Sequence, residues 1–398
     1  MQELMQLFIR QQWQVQFASA AAESEHMADL QAFGVHSCAI QLNDSSFDLF
    51  LADYQPDLVL FDRFTMQEQF GWRVQQVCPD ALCLLETIDL HCLRQARHTV
   101  FKRQPKVITT VEKSDLFNDI AIREIAAILR SDLSILVSDY EMTLLQDQFS
   151  VDGALLHLCP FMFSGDQIHR NAPAYEDREH FLTIGNFRHA PNWDAVLWLK
   201  QEIWPRIRAE LPRAEMHIYG AYTPPKATAL NQPRDGFLVK GRAADVTEVM
   251  QSARVCLAPL RFGAGIKTKL ADAMLNGTPN VTTSVGLEGM AGALEWSGLQ
   301  ADHAEGFAEQ AIRLYRDRLL WDQCQQRGFD IVTALFDDRT NGESLLQRIE
   351  QIRENITEHR LNNFTGSMLR SHHHRSTEFM SRWIEAKSRL VQESTPGV

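Results

Sequence analysis

Residues 259–286, PLRFGAGIKTKLADAMLNGTPNVTTSVG, decide the fold of this chain. They follow the compact apolar run Val255-Cys256-Leu257-Ala258 and read as strand, glycine loop, basic helix start, glycine cap and strand again. Gly263 and Gly265 allow the backbone to approach an anion closely, and a helix opening near Ile266 turns free N–H groups and positive dipole toward it. Lys267 and Lys269 add full positive charge at the same place. The helix carries Leu270, Ala273 and Met274 on its apolar side and stops at Asn276-Gly277-Thr278-Pro279, before a buried strand at Val281. A solvated lysine turn is the plain alternative. Position argues against it, because the loop lies at the carboxyl end of a strand, where α/β folds bind ligands. No Gly-x-Gly-x-x-Gly occurs in this stretch, and paired lysines suit a diphosphate held by charge rather than a dinucleotide cradled by backbone alone.

The rest of the chain supports this reading. Its 398 residues are long enough for two domains, and 45% hydrophobic with 23% charged residues is an ordinary globular composition. A net charge of -12 argues against nucleic acid as a partner. The longest apolar runs fall short of a bilayer span, so membrane contact is expected to be peripheral at most. Seven cysteines without Cys-x-x-Cys spacing, with Cys83 and Cys256 in apolar settings, read as reduced thiols in a cytoplasmic protein. Glu3, Gln6, Arg10 and Gln11 interrupt the opening residues, so no secretory leader is expected there.

Along the chain, strands and helices alternate. A helix at the very start carries Leu4, Leu7 and Phe8, followed by a strand-like Trp13 to Phe17 and a helix near His26 to Phe33. Strands are expected at Val35 to Ile40, Leu58 to Phe61, Ala81 to Leu85, Leu133 to Val137 and Leu155 to Leu158. A linker near 164–179 precedes a strand at Phe181 to Gly185, a helix from Asn192 to Glu210, and strands at Met216 to Gly220 and Gly236 to Lys240. This pattern predicts an α/β protein of two doubly wound, Rossmann-like domains facing a central cleft. The expected division is 1–164, 180–345 and a helical tail at 346–398. A doubly wound half should open on a central strand bearing a glycine-rich loop, yet this chain opens on a helix. The first domain therefore reads as lacking its opening strand, with Met1 an internal methionine of a longer protein.

Two such halves with a glycine-lysine pocket in the second resemble glycosyltransferases of the GT-B fold, specifically glycosyltransferase family 4. The resemblance covers most of the chain and is carried by TIGNFRHAPNWDAVLWLKQEIWP at 183–205, HIYGAY at 217–222 and the pocket at 259–286. ETIDLHCLRQAR at 86–97 is similar to the acceptor-side loop of these enzymes, and the final helix near 376–390 to their tail that crosses back onto the first domain. The resemblance implies that basic residues hold the nucleotide diphosphate against the second domain while an acid near the pocket helix binds the ribose. Asp272 matches that acid. The family's motif has a further glutamate at the position of Ala264, so that acid is absent here, and backbone amides with Lys267 would take over its role.

Candidate site residues follow. His91, Arg188 and Lys267 are the catalytic candidates. Gly263, Gly265, Lys267, Lys269, Asp272 and Glu288 are the donor-binding candidates, although Lys269 has the alternative of pointing outward and Glu288 that of a surface carboxylate. Asp89, His91 and Arg94 are placed on the acceptor side. Arg188 follows the strand ending at Gly185 and reads either as a clamp on the diphosphate or as a solvated loop arginine. His91, after Asp89 in a strand-to-helix loop, reads either as a partner of a sugar hydroxyl or as a structural histidine. Arg94 and Arg97 either face the acceptor or decorate a helix, and Asp62-Arg63 suggests a buried pair. Asn192 and Asp194 are read as caps of the following helix. His372 to His374 invite a metal reading, but three adjacent residues point in different directions and no acidic ligand frames them. No metal and no cofactor are expected. Arg370, Arg375, Arg382 and Trp383 offer a basic aromatic patch, with Trp383 expected to turn inward.

The activity implied by the resemblance is transfer of a sugar from a nucleotide-sugar to a glycan, lipid-linked, small-molecule or protein acceptor, with retention and without metal. The rival is a degenerate GT-B module that binds a nucleotide or a protein without catalysis, as the absent opening strand and the acid lost at Ala264 would allow.

Overall fold

The computed structural model describes residues 1–22 and 27–393, without the side chains of 372–375 and 389–393. Helix α1 (Gln2–Arg10) precedes strands β1 (Gln16–Ser19) and β2 (His36–Ala39), which pair parallel with each other. The helix expected near His26 to Phe33 is not formed as such. Residues 23–26 lie outside the described residues, and only Gln31–Phe33 make a single 3₁₀ turn, ended by Gly34 at φ 76°.

Strands β3 (Leu58–Asp62), β4 (Leu82–Glu86), β5 (Leu133–Leu136) and β6 (Leu156–Leu158) form a second parallel sheet in the order β3-β4-β5-β6. Between them run α2 (Arg63–Val77), α3 (His91–Arg103), α4 (Asp119–Arg130) and α5 (Asp139–Phe149). Their apolar faces bury Phe64, Leu93, Ala127 and Leu145 against the sheet. Among the described residues no strand lies between β1 and β3, so each of these is hydrogen-bonded on one side only. Strand β3, whose apolar run Leu58-Val59-Leu60-Phe61 suits burial on both faces, keeps its first three residues half-buried, whereas β5 is wholly buried.

The second domain is a six-stranded parallel sheet in the order β12-β11-β10-β7-β8-β9. Its strands are β7 (Glu179–Ile184), β8 (Met216–Tyr219), β9 (Phe237–Gly241), β10 (Ala253–Ala258), β11 (Asn280–Thr282) and β12 (Gly298–Gln300). Strand order reverses between β7 and β10, so the loops leaving their carboxyl ends border a crevice. Helix α6 (Ala190–Trp198) leads through a π-helical turn, Leu199–Ile203, into Trp204–Glu210. The helix expected as one piece is thus interrupted, and Pro205, which has no N–H to donate, lies just beyond the interruption. Helix α7 (Thr268–Leu275) follows the glycine loop.

Helix α8 (Asp338–Glu354) leaves the second domain and buries Leu345, Ile349 and Ile352 against Leu82, Leu84 and Leu133 of the first. The last helix, α9 (Phe364–Glu393), lies on α2 and α4. Asp132 anchors this return. Its buried carboxylate accepts from Cys83 N at 2.8 Å and from Arg360 Nε and Nη2 at 2.9 and 2.8 Å. Trp383 does not turn inward. It is 58% exposed on the same helix as exposed Phe379 and Met380, and Lys387 lies 4.7 Å from its ring. No described helix is long and apolar enough to cross a membrane.

Candidate active site

The glycine loop emerges from the carboxyl end of β10 at the reversal of strand order and meets the first domain directly. Gly263 has φ 152° and Gly265 φ 65°, the latter a conformation that side chains resist. A Cβ on Gly265 would come within 2.8 Å of Asp89 Cβ and 3.1 Å of Ile88 O, so only glycine fits against the segment leaving β4. That segment is strained on its own side. Ile88 has φ 63°, a rare conformation for a β-branched residue and one found where function over-determines the backbone.

The loop extends further than the sequence implied. Helix α7 opens at Thr268, with Lys267 as its N-cap rather than Ile266 at its start. Lys267 is buried, and its Nζ donates to the carbonyl of Gly265. Burial pulls its pKa down to about 8, against the charge of Glu288. Lys269 is half-buried and does not point outward. Its Nζ donates to Asn192 Oδ1 at 2.9 Å, and burial brings its pKa to about 8. Neither lysine forms an ion pair among the described residues, and each is a sheltered cation that donates to a neutral oxygen.

Asn192 and Asp194 do not cap a helix, because α6 begins at Ala190 with His189 as N-cap. Asn192 instead links Lys269 to Asn186 O, and Asp194 takes Arg261 Nε and Nη2 at 2.9 and 2.7 Å. Arg188, in the loop leaving β7, is exposed, with its guanidinium 3.9 Å from the ring centroid of Tyr222. The structure thus shows it on that ring. Asp272 lies half-buried on α7, with no hydrogen bond to its carboxylate among the described residues, and burial alone lifts its pKa to about 7.

From the first domain come Asp89, His91 and Arg94. Asp89 is buried and ion-paired with Arg94, and His91 Nε2 lies 3.5 Å from its Oδ1. His91 packs edge-on against Phe64, and burial with the charge of Arg94 lowers its pKa to about 4, which leaves the ring neutral at pH 7. Glu124 fixes this helix start by accepting from the His91 and Cys92 amides, both at 2.9 Å. Asp62 and Arg63 are half-exposed with 3.5 Å between them, not a buried pair.

Two links across the cleft were missed in the sequence. Arg97, fully buried in α3, donates to Gly263 O at 2.9 Å and forms a two-pronged ion pair with Glu288, both contacts at 2.6 Å. Glu288 is therefore not a surface carboxylate, and Arg97 is not a decoration of its helix. Glu141, in the first turn of α5, is likewise buried, and its Oε1 accepts from Gly265 N at 2.6 Å. Beside Glu288 opens a cavity of about 580 Å³ lined by Thr110, Lys113, Tyr140, Asp147 and Gly289. His189 is another cleft group without a sequence signal. Its pKa is lowered by partial desolvation and by Arg94, with Lys267 and Lys269 also acting on it. His372 to His374 lie outside the described side chains.

Residues 178–317 match the family model described as Glycosyl transferases group 1. That match spans the second domain's sheet from β7 to β12. The chain adopts the GT-B fold, as its solved structural neighbours do. Sucrose-phosphate synthase from Thermosynechococcus elongatus superposes with a TM-score of 0.66 at 17% identity, over 88% of this chain and 92% of that one. Anabaena HepE, solved in complex with UDP, gives 0.62 at 12% identity over 88% and 96%. TarM of S. aureus, solved with fondaparinux, alpha-GlcNAc-glycerol and UDP, gives 0.58 at 12% identity over 76% of this chain. This chain spans only 57% of the length of TarM. No curated protein matches the sequence.

Proposed function

We propose that this protein transfers a glycosyl group from a nucleotide-sugar to an acceptor hydroxyl, with retention and without a metal or other cofactor. One observation carries the reading. Lys267 and Lys269 are two sheltered ammonium groups without an ion-pair partner among the described residues, set at the strand-order reversal. A sheltered charge that no acid pairs with directly is costly to keep, so such a pair is poised for an anion. The diphosphate of a nucleotide-sugar supplies it. UDP in the HepE and TarM structures supports the same choice.

In the reaction the bond from C1 of the sugar to the diphosphate breaks, the acceptor oxygen bonds to C1, and the acceptor proton leaves with the diphosphate. Negative charge grows on the leaving group, and fixed lysines stabilise it more in the transition state than before it. His91, neutral and held between Asp89 and Phe64, would orient a hydroxyl. Asp272 would hold the ribose, Arg188 would swing from Tyr222 onto the diphosphate, and the acceptor would enter through the cavity beside Glu288. That cavity is lined by hydroxyls, carboxylates and Lys113, which suits a hydroxyl-rich acceptor.

The test is calorimetric titration with UDP-, GDP-, ADP- and dTDP-sugars. Saturable heat with one of them is expected and fixes the donor class. Absence of heat with all four overturns the reading. Binding without turnover across an acceptor screen would favour the rival, a nucleotide-binding module without catalysis, for which Ala264 in place of the family's acid is the supporting observation.

A further inference from the structure

Resting on that functional reading, we propose that Glu141 supplies from the first domain the carboxylate that the glycine loop lacks at Ala264, and that it receives hydroxyls of the donor sugar. Glu141 stands in the first turn of α5, directly beyond the carboxyl end of β5, and is 1% exposed. Its two oxygens are used unequally. Oε1 accepts from Leu90 N at 3.2 Å and from Gly265 N at 2.6 Å, and so joins an amide of each domain. Oε2 is buried and has no donor among the described residues.

A buried carboxylate oxygen without a donor is an expensive feature to retain unless a ligand completes it. The amide that Glu141 occupies belongs to the residue directly after Ala264, so the carboxylate sits beside the position of the absent acid. Lys267 lies close enough for its charge to act on Glu141, while burial and the charge of Asp89 push the carboxyl up to about 7. The cation proposed for the diphosphate and the free oxygen are thus neighbours. That is the order in which phosphate and sugar are joined in a nucleotide-sugar.

Placement on the opposite domain has a consequence. The nucleotide diphosphate would be held by the second domain alone, whereas the sugar would touch both. A carboxylate serving only to clamp the two domains would affect the binding of sugar-bearing and sugar-free nucleotides alike. One that touches the sugar would affect only the former.

The experiment compares wild type with Glu141→Gln, binding the nucleotide-sugar selected by the titration above and its free nucleoside diphosphate. The variant is expected to weaken the nucleotide-sugar by roughly tenfold to a hundredfold, as for a hydrogen bond to a charged group. The nucleoside diphosphate should stay within about twofold, roughly a third of a decade in affinity. A parallel titration with donor analogues lacking single sugar hydroxyls closes the cycle. The deoxy analogue that costs wild type affinity should cost the variant little. If Glu141→Gln melts early, Glu141→Asp, which keeps the charge but draws it back, takes its place in the same cycle. Equal weakening of both ligands, no change in either, or additive losses in the cycle would each overturn the inference while leaving the functional reading intact. Failure of wild type to bind any nucleotide-sugar would remove both.

Discussion

Lys267 is the residue on which the proposed chemistry leans hardest, because its buried ammonium is tied to the carbonyl of Gly265 and forms no ion pair among the described residues. Lys267→Ala should lower turnover by roughly tenfold to a thousandfold, since one such preorganised group contributes about 2 to 4 kcal/mol in a transition state. Unchanged steady-state activity would remove it from the site. Asp272 leads to a different measurement. Its carboxyl is lifted from 3.8 to about 7 by burial, so the folded protein keeps it neutral while the unfolded chain ionises it. Stability is therefore complete below pH 3.8, falls as pH rises toward about 7 and is flat beyond, as far as this group is concerned. In melts across that range, Asp272→Asn should gain Tm over wild type progressively and then hold a constant gap. A gap independent of pH would refute the lifted carboxyl. At this scale the glycines and lysines were legible because their spacing is local. Glu141 and Arg97 were not, since their partners lie more than a hundred residues away, Gly265 and Glu288, and no periodicity links them.

Elements were more legible than their ends. Strands β3 to β6 show as apolar runs because parallel strands are covered on both faces, and β7 to β10 follow the same rule. The helix at 268–275 was placed two residues early, since the glycine conformations that delay it are set by contact with Asp89. The joint between α3 and the turn after β11 makes the element-scale prediction. Arg97→Ala removes one partner and leaves Glu288 facing a buried gap, which costs about 3 to 5 kcal/mol when a buried pair is broken. Because Arg97 also holds Gly263 O and Thr109 O, denaturant unfolding should show the two domains losing their common transition. A single transition with an unshifted midpoint would contradict this joint. Replacing both Arg97 and Glu288 by alanine should be milder than the sum of the single changes.

The molecule as a whole was readable as two doubly wound halves because alternating strands and helices force parallel sheets. What could not be read was how tightly the halves meet, since Phe262 stacks on His98 and Phe101 across the cleft and Ile108 N bonds Arg261 O there. Nor could the separation of β1 and β2 from the larger sheet be measured in advance. Two short strands with half-exposed residues are marginal alone, so amides of 16–19 and 36–39 should exchange with deuterium well before those of β4 and β5. Equal protection would mean that the pair is held as firmly as the core sheet. The same separation bears on how the protein behaves in a tube. Among the described residues no strand pairs with the outer side of Leu58–Asp62, whose apolar residues 58–61 lie on both faces, and such a row of backbone groups is a template for any extended peptide that comes within reach. A net charge of -12 keeps copies apart at long range, but it is screened within about a Debye length of roughly 10 Å at 0.1 M salt. Shelf life in concentrated solution is then governed by whatever occupies that short edge, and salt, usually a friend of soluble acidic proteins, becomes the condition to avoid.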